Sequence, residues 1–287
     1  MDSFDCNSPA SSAQSVHAQL TFTACPRTRL NLHKLTTDMR PSPRCLAPGF
    51  FRRSLDEFKR LSNVALKFEA IKKPTKAFPL ITFDSPDDLS ACKRMSDKDI
   101  GGFSSAHLDF HPITHDAPSH ARFYGEISTK LPADQPNVQR TGYAGWRTLD
   151  RGFTIFGKSL WDVNSYNYLA IHFKSDGRKY FVNVQTESIV PTDIHQHRLY
   201  TKTPGEWETL LIKWSEFVRT NHGQIVEPQR EMLTQKVRTV GTALIDRIPG
   251  PYDLSISKVW ATNGGSDDEI LANVKGAVTG LPMSRLR

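Results

Sequence analysis

The chain has 287 residues, 38% of them hydrophobic, and a formal net charge of +7. This length holds one large β domain or two small ones, and no run approaches the roughly 20 apolar residues of a membrane-spanning helix. Residues 39–78 carry ten bases and three acids, which is the whole excess of +7. The high pI is therefore no evidence for a nucleic-acid-binding domain, and we expect no nucleic-acid partner.

The first 48 residues are predicted to be disordered, because residues 1–48 are rich in Ser, Thr, Pro and Ala and show no sustained hydrophobic period. From Met39 to Leu55 the sequence has four arginines and no acid, which is typical of a mitochondrial targeting segment. Met39 is a candidate second start. Of the four cysteines only Cys92 falls in the expected globular part, which predicts a reducing compartment and no disulfide framework.

Residues 49–75 are predicted to form a basic amphipathic helix, with the helical period clearest over residues 52–71. Ser54, followed three residues later by Glu57, predicts an N-cap with a capping box, and Pro74 ends the helix. The apolar stripe recurs every three or four residues, at Leu55, Phe58, Leu61, Ala65 and Phe68.

Three roles for this helix stay open: packing of its stripe on the domain, docking on a partner or membrane surface, or service as a cleaved targeting helix. A Lys or Arg near an anionic membrane surface contributes about 1 kcal/mol to binding. We therefore expect the cations of the helix to contact a partner or a membrane. They are Arg52, Arg53, Lys59 and Arg60.

Residues 76–263 are predicted to form an all-β domain, followed by a polar C-terminal tail at 264–287. Short β-rich runs separated by Gly, Pro and Asn are typical of an antiparallel sandwich or barrel. In the last run the alternation slips after Ile256, which predicts a β-bulge, and one helical turn is expected at Trp214. The candidate strands are 78–83, 121–128, 143–149, 168–174, 179–186, 194–201, 207–213, 239–245 and 252–261.

The strongest local signal is Asp176-Gly177, which lies between two runs rich in β-branched and aromatic residues. Asp-Gly in such a setting predicts a two-residue type I′ hairpin. The hairpin register would place three apolar pairs on the core face of one sheet: Phe173 with Tyr180, Ile171 with Val182, and Leu169 with Val184.

Candidate chemistry is sparse, since the sequence has no P-loop, no G-x-G-x-x-G and no G-x-S-x-G. The nearest approach to a metal cluster is the run of His107, His111, His115 and His120, but Pro112 and Pro118 break any helix that would align them. We predict no catalytic residues, no metal site and no cofactor.

One candidate ligand or partner face rests on strand alternation. His195 and His197 are two residues apart on a predicted strand, so that both rings point to one side. With Arg198 and Trp207 nearby in sequence, and with Trp146 and Arg147 on another strand, they could line a polar ligand surface. The competing interpretations are solvent-facing histidines and core tryptophans.

Several segments together resemble the complex I intermediate-associated protein 30 family. The resemblance depends on Gly101-Gly102 with Ser104, on the DGRKY run at 176–180, on Trp207 with its strand, and on Gly250-Pro251-Tyr252 before the last strand. It covers most of residues 52–263.

This resemblance implies a galactose-binding-like β-sandwich of jelly-roll type, with the amphipathic helix at its N-terminal side. It implies a non-catalytic assembly factor that binds a membrane-arm intermediate of mitochondrial respiratory complex I and is released before completion. The expected partners are complex I membrane-arm subunits, other assembly factors and the matrix side of the inner membrane.

Two other classes of protein remain as alternatives. A carbohydrate-binding β-sandwich module would expose an aromatic platform, such as Trp146, Trp207 or Trp260, beside converging polar groups. A metal hydrolase would gather the histidines of residues 107–120 around one ion.

Overall fold

The computed structural model describes residues 49–67, 74–188 and 190–264, and the side chains of residues 63–67 are not described. The predicted disordered and targeting region at 1–48 and the tail beyond residue 264 lie outside the described residues. The same holds for the side chains of Ala65 and Phe68. Among the described residues, no helix is both long enough and apolar enough to cross a membrane.

One α-helix precedes a series of antiparallel strands, and short 3-10 helices connect some of them. The helix is α1 (Phe50–Lys67). The 3-10 helices are Pro86–Ala91, Asp97–Ile100, Trp214–Glu216 and Thr234–Lys236. The strands are β1 (Phe78–Thr82), β2 (Cys92–Ser96), β3 (Ser105–His111), β4 (His120–Ile127), β5 (Ala144–Thr148), β6 (Phe153–Thr154), β7 (Gly157–Lys158), β8 (Tyr168–Ser175), β9 (Tyr180–Thr186), β10 (Asp193–Arg198), β11 (Trp207–Lys213), β12 (Val218–Asn221), β13 (Gln224–Ile225), β14 (Val237–Leu244) and β15 (Gly250–Thr262).

Within the described chain the strands form two main sheets that enclose one apolar core. The six-stranded sheet has the order β11-β8-β15-β4-β3, and β1 also pairs with β15. The seven-stranded sheet has the order β13-β12-β10-β9-β14-β5-β2, and β6 with β7 forms a separate small hairpin. The inward side chains alternate along each strand, as a sandwich requires. Large side chains with less than 2% exposure include Phe83, Phe123, Trp146, Phe173 and Tyr180.

All nine predicted strands are present, and the bulge and the helical turn are confirmed. The register between β15 and β8 shifts between Ile256 and Lys258, and Trp214–Glu216 is one 3-10 turn. Six strands were not predicted from the sequence: β2, β3, β6, β7, β12 and β13. Most of them are short or polar, so they lack the alternating apolar signal on which such predictions depend.

The predicted hairpin at Asp176-Gly177 is wrong. β8 pairs with β11 and β15, whereas β9 pairs with β10 and β14 in the other sheet. Gly177 has φ of 91°, but Asp176 has no positive φ, so the turn lacks the type I′ geometry that joins neighbouring strands. The chain instead crosses the sandwich here. Ile171 and Val182 are both fully buried, as expected, but they enter the core from opposite sheets.

The predicted N-cap at Ser54 is also wrong, because the helix begins at Phe50. Ser54 lies inside α1 and its hydroxyl donates to the carbonyl oxygen of Phe50 at 2.8 Å. The same hydroxyl accepts a hydrogen bond from the backbone N–H of Ile155 at 3.1 Å. Ser54 thus joins the helix to the β6–β7 hairpin.

Candidate functional site

Helix α1 lies against the sandwich with its polar side. Arg53 donates from Nε and Nη2 to the carbonyl oxygen of Phe153, at 3.3 and 3.2 Å. Arg60 donates from Nη2 to Oε1 of Glu57 on the same helix at 2.7 Å. It also donates from Nη1 to Oδ2 of Asp162 in the sandwich at 3.1 Å. Since Arg53, Glu57 and Arg60 are spaced by four and three residues, they share one side of the helix. That side is the one the domain covers.

The apolar stripe of α1 therefore faces away from the sandwich. Phe51 is 85% exposed and Phe58 is 56% exposed, and Leu55 between them is exposed too. These three residues follow the same three- and four-residue spacing on another side of the helix. The expectation that this stripe could pack on the domain is thus not met by its described residues.

The β6–β7 hairpin adds to this apolar surface. Phe153, Ile155 and Phe156 are all exposed, and the backbone of this hairpin accepts and donates the hydrogen bonds that hold α1. We call the combined surface the apolar patch. It consists of Phe50, Phe51, Leu55, Phe58 and Leu61 of α1 together with Phe153, Ile155 and Phe156 of the hairpin.

The apolar patch is unusual for the described part of this protein. Among the exposed phenylalanines of the described residues, only Phe103 lies outside the apolar patch. Folded domains rarely keep large contiguous apolar patches in water unless a partner or membrane covers them. The patch is therefore a candidate docking surface. No signal in the sequence pointed to the hairpin, because its apolar residues do not alternate over a full strand.

The four predicted partner- or membrane-binding cations divide into two pairs. Arg52 and Lys59 are exposed, seven residues apart on the same side of α1, and flank the apolar stripe. Arg53 and Arg60 instead hold the helix on the sandwich. Hydrogen bonding to Glu57 raises the pKa of Arg60, which keeps this guanidinium charged within its ion pairs.

The residues of the predicted ligand face do not come together. Trp146 is a core residue with 1% exposure, and its ring meets Phe83 edge-on at 5.6 Å. Arg147, on the same strand, lies 3.6 Å from Asp150. Trp146 cannot serve as a surface platform because both sheets cover it.

His195 and His197 do share one side of β10, as the alternation predicts, but it is the side that faces inward. His195 is buried, and burial lowers its pKa. His197 contacts Phe217 at 5.7 Å between ring centroids, and burial lowers its pKa as well. Arg198 is exposed and lies over the Tyr200 ring at 5.1 Å. Neither histidine lines a solvent-facing ligand surface.

The outer face of the six-stranded sheet carries a groove of about 390 Å³ beside Trp207. The half-buried Trp207 ring stacks on His172 at 5.2 Å and meets His120 edge-on at 5.1 Å. Arg122 Nη2 lies 2.6 Å from Asp253 Oδ2 in the same groove, and exposed Lys174 is at its margin. Burial lowers the pKa of His172 to about 4. The groove thus offers an aromatic surface beside charged groups.

The histidines of residues 107–120 separate into different contacts. His107 stacks on Tyr124 at 5.2 Å, and His111 stacks on His120 at 5.1 Å. His115 is almost fully exposed. Among the described residues, no three His, Cys, Asp or Glu side chains meet in a way that could hold a metal ion.

The glycine- and serine-rich motif at residues 97–104 has a structural role in this fold. The carboxylate of buried Asp97 accepts hydrogen bonds from the Ser104 N–H at 2.8 Å, the Ser104 hydroxyl at 2.7 Å and the Gly142 N–H at 2.6 Å. A buried carboxylate needs such donors when no cation is beside it. The motif therefore joins three segments of backbone and does not form a surface site.

Two solved structures with a similar fold are carbohydrate-binding modules of Clostridium thermocellum cellulosomal cellulases. The family 11 module has a TM-score of 0.45 and 14% identity, over 67% of this chain and 96% of that one. The family 30 module has a TM-score of 0.42 and 14% identity, over 67% and 99%. Both TM-scores lie below 0.5. The strand order itself makes the described chain a two-sheet antiparallel β-sandwich with an N-terminal amphipathic helix, which confirms the predicted all-β class.

Residues 81–256 match the family model described as complex I intermediate-associated protein 30. The chain belongs to this family. A Neurospora crassa protein of that name, described as mitochondrial, is 50% identical over 233 residues, which is 75% of this chain and 84% of that protein. The Mus musculus protein of the same name is 28% identical over 61% of this chain, which spans about half of its length (52%). The description of the family associates its members with an intermediate of complex I.

Proposed function

We propose that this protein is a non-catalytic assembly factor that binds a membrane-arm intermediate of respiratory complex I at the matrix side of the mitochondrial inner membrane. It leaves before the complex is completed. Its partners are membrane-arm subunits and other assembly factors. The observation that carries this proposal is the apolar patch, because a folded domain exposes such a surface when something else covers it in its working state.

The way α1 is mounted supports a docking role. Hydrogen bonds and ion pairs of Arg53 and Arg60 on its polar side fix the orientation of the helix, so that the apolar stripe is presented outward before any partner arrives. A preformed surface loses less conformational entropy on binding than a surface that must first be ordered. Holding and releasing an intermediate needs area and complementarity and does not need activated side chains.

The test is capture of tagged full-length protein from mitochondrial membranes, followed by native electrophoresis and mass spectrometry. The wild type should migrate with membrane-arm subunits in a subcomplex and be missing from the finished enzyme. The double variant Phe51→Ser/Phe58→Ser should lose most of these subunits. Phe103→Ser is the matched control, since Phe103 and Phe58 are equally exposed at 56%. Wild-type capture without any membrane-arm subunit would refute the proposal.

A second candidate function is carbohydrate binding in the groove beside Trp207. A half-exposed indole suits the C–H face of a sugar ring, and the Arg122–Asp253 pair offers donors and acceptors for hydroxyl groups. Against it, the other tryptophans, Trp146, Trp161, Trp214 and Trp260, are buried.

A glycan array separates this second candidate from the first. Binding of a defined glycan that Trp207→Ala abolishes would favour it. Tyr200→Ala is the control, because Tyr200 is an exposed aromatic residue outside the groove. Absence of binding to every glycan on the array would dismiss the candidate.

A further inference from the structure

The occupant of the apolar patch can be inferred from how the patch is built. The exposed stripe of α1 runs along the helix axis, with Phe51, Leu55 and Phe58 at its described centre. The exposed residues Phe153, Ile155 and Phe156 belong to a hairpin whose backbone is hydrogen-bonded to that helix. Aromatic and aliphatic side chains on two joined elements thus form a broad surface.

The charges around the patch are mostly positive. Within the described parts of α1 and the β6–β7 hairpin, the exposed charged side chains are Arg52, Lys59 and Lys158 against one acid, Asp56. Arg53 and Arg60 also lie here but are engaged with the sandwich. A surface of this kind complements an anionic plane, because each exposed cation near it gains electrostatic energy without leaving water.

The pattern of the helix also fits a bilayer interface. A strongly amphipathic helix with low overall hydrophobicity, cations beside its apolar stripe and Phe and Leu within it is typical of helices that lie in the interface plane. In α1 the opposite side of the helix is already covered by the sandwich, so the domain itself would remain in water while the stripe enters the acyl boundary.

We propose that the apolar patch binds an anionic phospholipid surface, with α1 parallel to the membrane plane and the β6–β7 hairpin inserted beside it. This inference deepens the proposed function and rests on the same docking surface, to which it assigns lipid as the occupant. Arg52 and Lys59 contact headgroups, and the phenylalanines reach the acyl boundary.

The first experiment is flotation of the full-length protein with phosphatidylcholine vesicles, with and without cardiolipin. We expect binding to the anionic vesicles that weakens as salt is added, because salt screens the cations. Phe51→Ser/Phe58→Ser and Phe153→Ser/Phe156→Ser should each lower the partition coefficient by about tenfold or more. Phe103→Ser should leave it unchanged.

The charge arm uses Arg52→Glu/Lys59→Glu, which should reduce binding to cardiolipin vesicles by about thirtyfold or more. Lys93→Glu/Lys202→Glu is the control, because both lysines are exposed outside the patch. All the replaced side chains are exposed, so the variants should fold, and circular dichroism checks this.

A third experiment measures how deeply the apolar stripe of α1 enters the bilayer. Phe58→Trp keeps the apolar stripe and should add tryptophan fluorescence that brominated lipids quench, beyond any quenching of the wild type. No vesicle binding, or equal binding by the patch variants and their controls, overturns the inference.

The lipid inference and the proposed function can fail separately. If the patch variants lose membrane-arm subunits in the capture experiment but the wild type never binds vesicles, the occupant is a protein and the lipid inference is wrong. If vesicle binding depends on the patch while no membrane-arm subunit is captured, the lipid inference stands and the assembly function does not.

Discussion

Arg178 and Asp246 form a two-point ion pair that joins two of the crossings between the sheets. Arg178 Nε lies 3.0 Å from Asp246 Oδ2, and Nη2 lies 2.8 Å from Oδ1. Asp246 follows β14 and Arg178 follows β8, so the pair links two places where the chain passes from one sheet to the other. Arg178 also donates to the carbonyl oxygens of Gly250 at 3.0 Å and Pro251 at 2.8 Å.

We expect Arg178→Ala to destabilise the protein strongly. The Asp246 side chain is only 2% exposed, so removing its cation would leave a buried carboxylate unpaired, at a cost of about 3–5 kcal/mol. Arg122→Ala is the control, because its pair with Asp253 is 42% exposed on both sides and should contribute about 1 kcal/mol or less. Urea unfolding measures both free energies. Equal losses would contradict the role given to Arg178.

Gly102→Ala should also destabilise the fold, for a steric reason. A Cβ at this position would lie 2.4 Å from Cγ of Asp97, whose buried carboxylate holds Ser104 and Gly142. Relief of such a contact moves packed groups and costs about 1–3 kcal/mol. Gly49→Ala is the matched control, since nothing lies within 4 Å of its Cβ position. Thermal unfolding would refute the argument if the two variants melted together.

The buried His172 predicts a loss of stability in mild acid. Burial lowers the pKa of His172 to about 4 in the folded state, whereas an unfolded histidine has a pKa of about 6.5. Above pH 6.5 both states are neutral. Between about pH 6.5 and 4 only the unfolded chain binds the proton, so the free energy of unfolding should fall by about 3 kcal/mol.

His172→Gln should remove this part of the pH dependence, as urea unfolding at a series of pH values would show. His115→Gln is the control, because the His115 side chain is 99% exposed. A slope in His172→Gln equal to that of the wild type would mean that other groups cause the acid sensitivity.

Ser54→Ala should loosen α1 without unfolding the sandwich. The buried Ser54 hydroxyl accepts the Ile155 N–H, and leaving that group unsatisfied costs about 1–3 kcal/mol. Amide hydrogen exchange in α1 should then be about tenfold faster or more. Ser62→Ala is the control. Ser62 makes the same bond to a carbonyl four residues earlier, at 2.8 Å, on an exposed part of the helix. Equal acceleration in both variants would count against Ser54 as a docking contact.

Strand positions were predictable from the sequence because burial alternates along each strand, as in β9, where every second residue from Tyr180 is buried. Pairing was not predictable at Asp176-Gly177, because a strand shows the same alternation whether its neighbour in sequence lies beside it or across the core. The pairing there depends on distant partners: β8 with β15, and β9 with β14. Local turn chemistry cannot report those contacts.

The candidate site, like the fold, could be predicted from the sequence only in part. The helix and its apolar stripe follow from three- and four-residue spacing, which the sequence displays openly. Which side of the helix the domain covers does not follow. Arg60 bonds to Asp162, 102 residues away, and Ser54 to Ile155, 101 residues away, and these contacts turn the apolar side outward. Hydrophobic pattern alone favours the opposite orientation.

The long strand β15 also determines when the protein can fold. It pairs with β1, β4 and β8, and its residue Ala261 is the partner of Phe78. During synthesis from the N-terminus, the other strands of the six-stranded sheet are made before β15. They cannot complete their pairing until residues 250–262, which form the central strand, have been synthesised. Until the ribosome has released that strand, β1, β4 and β8 hold unpaired edges that other chains could join. We therefore expect nascent chains of this protein to be prone to edge-to-edge association until residues 250–262 have been synthesised.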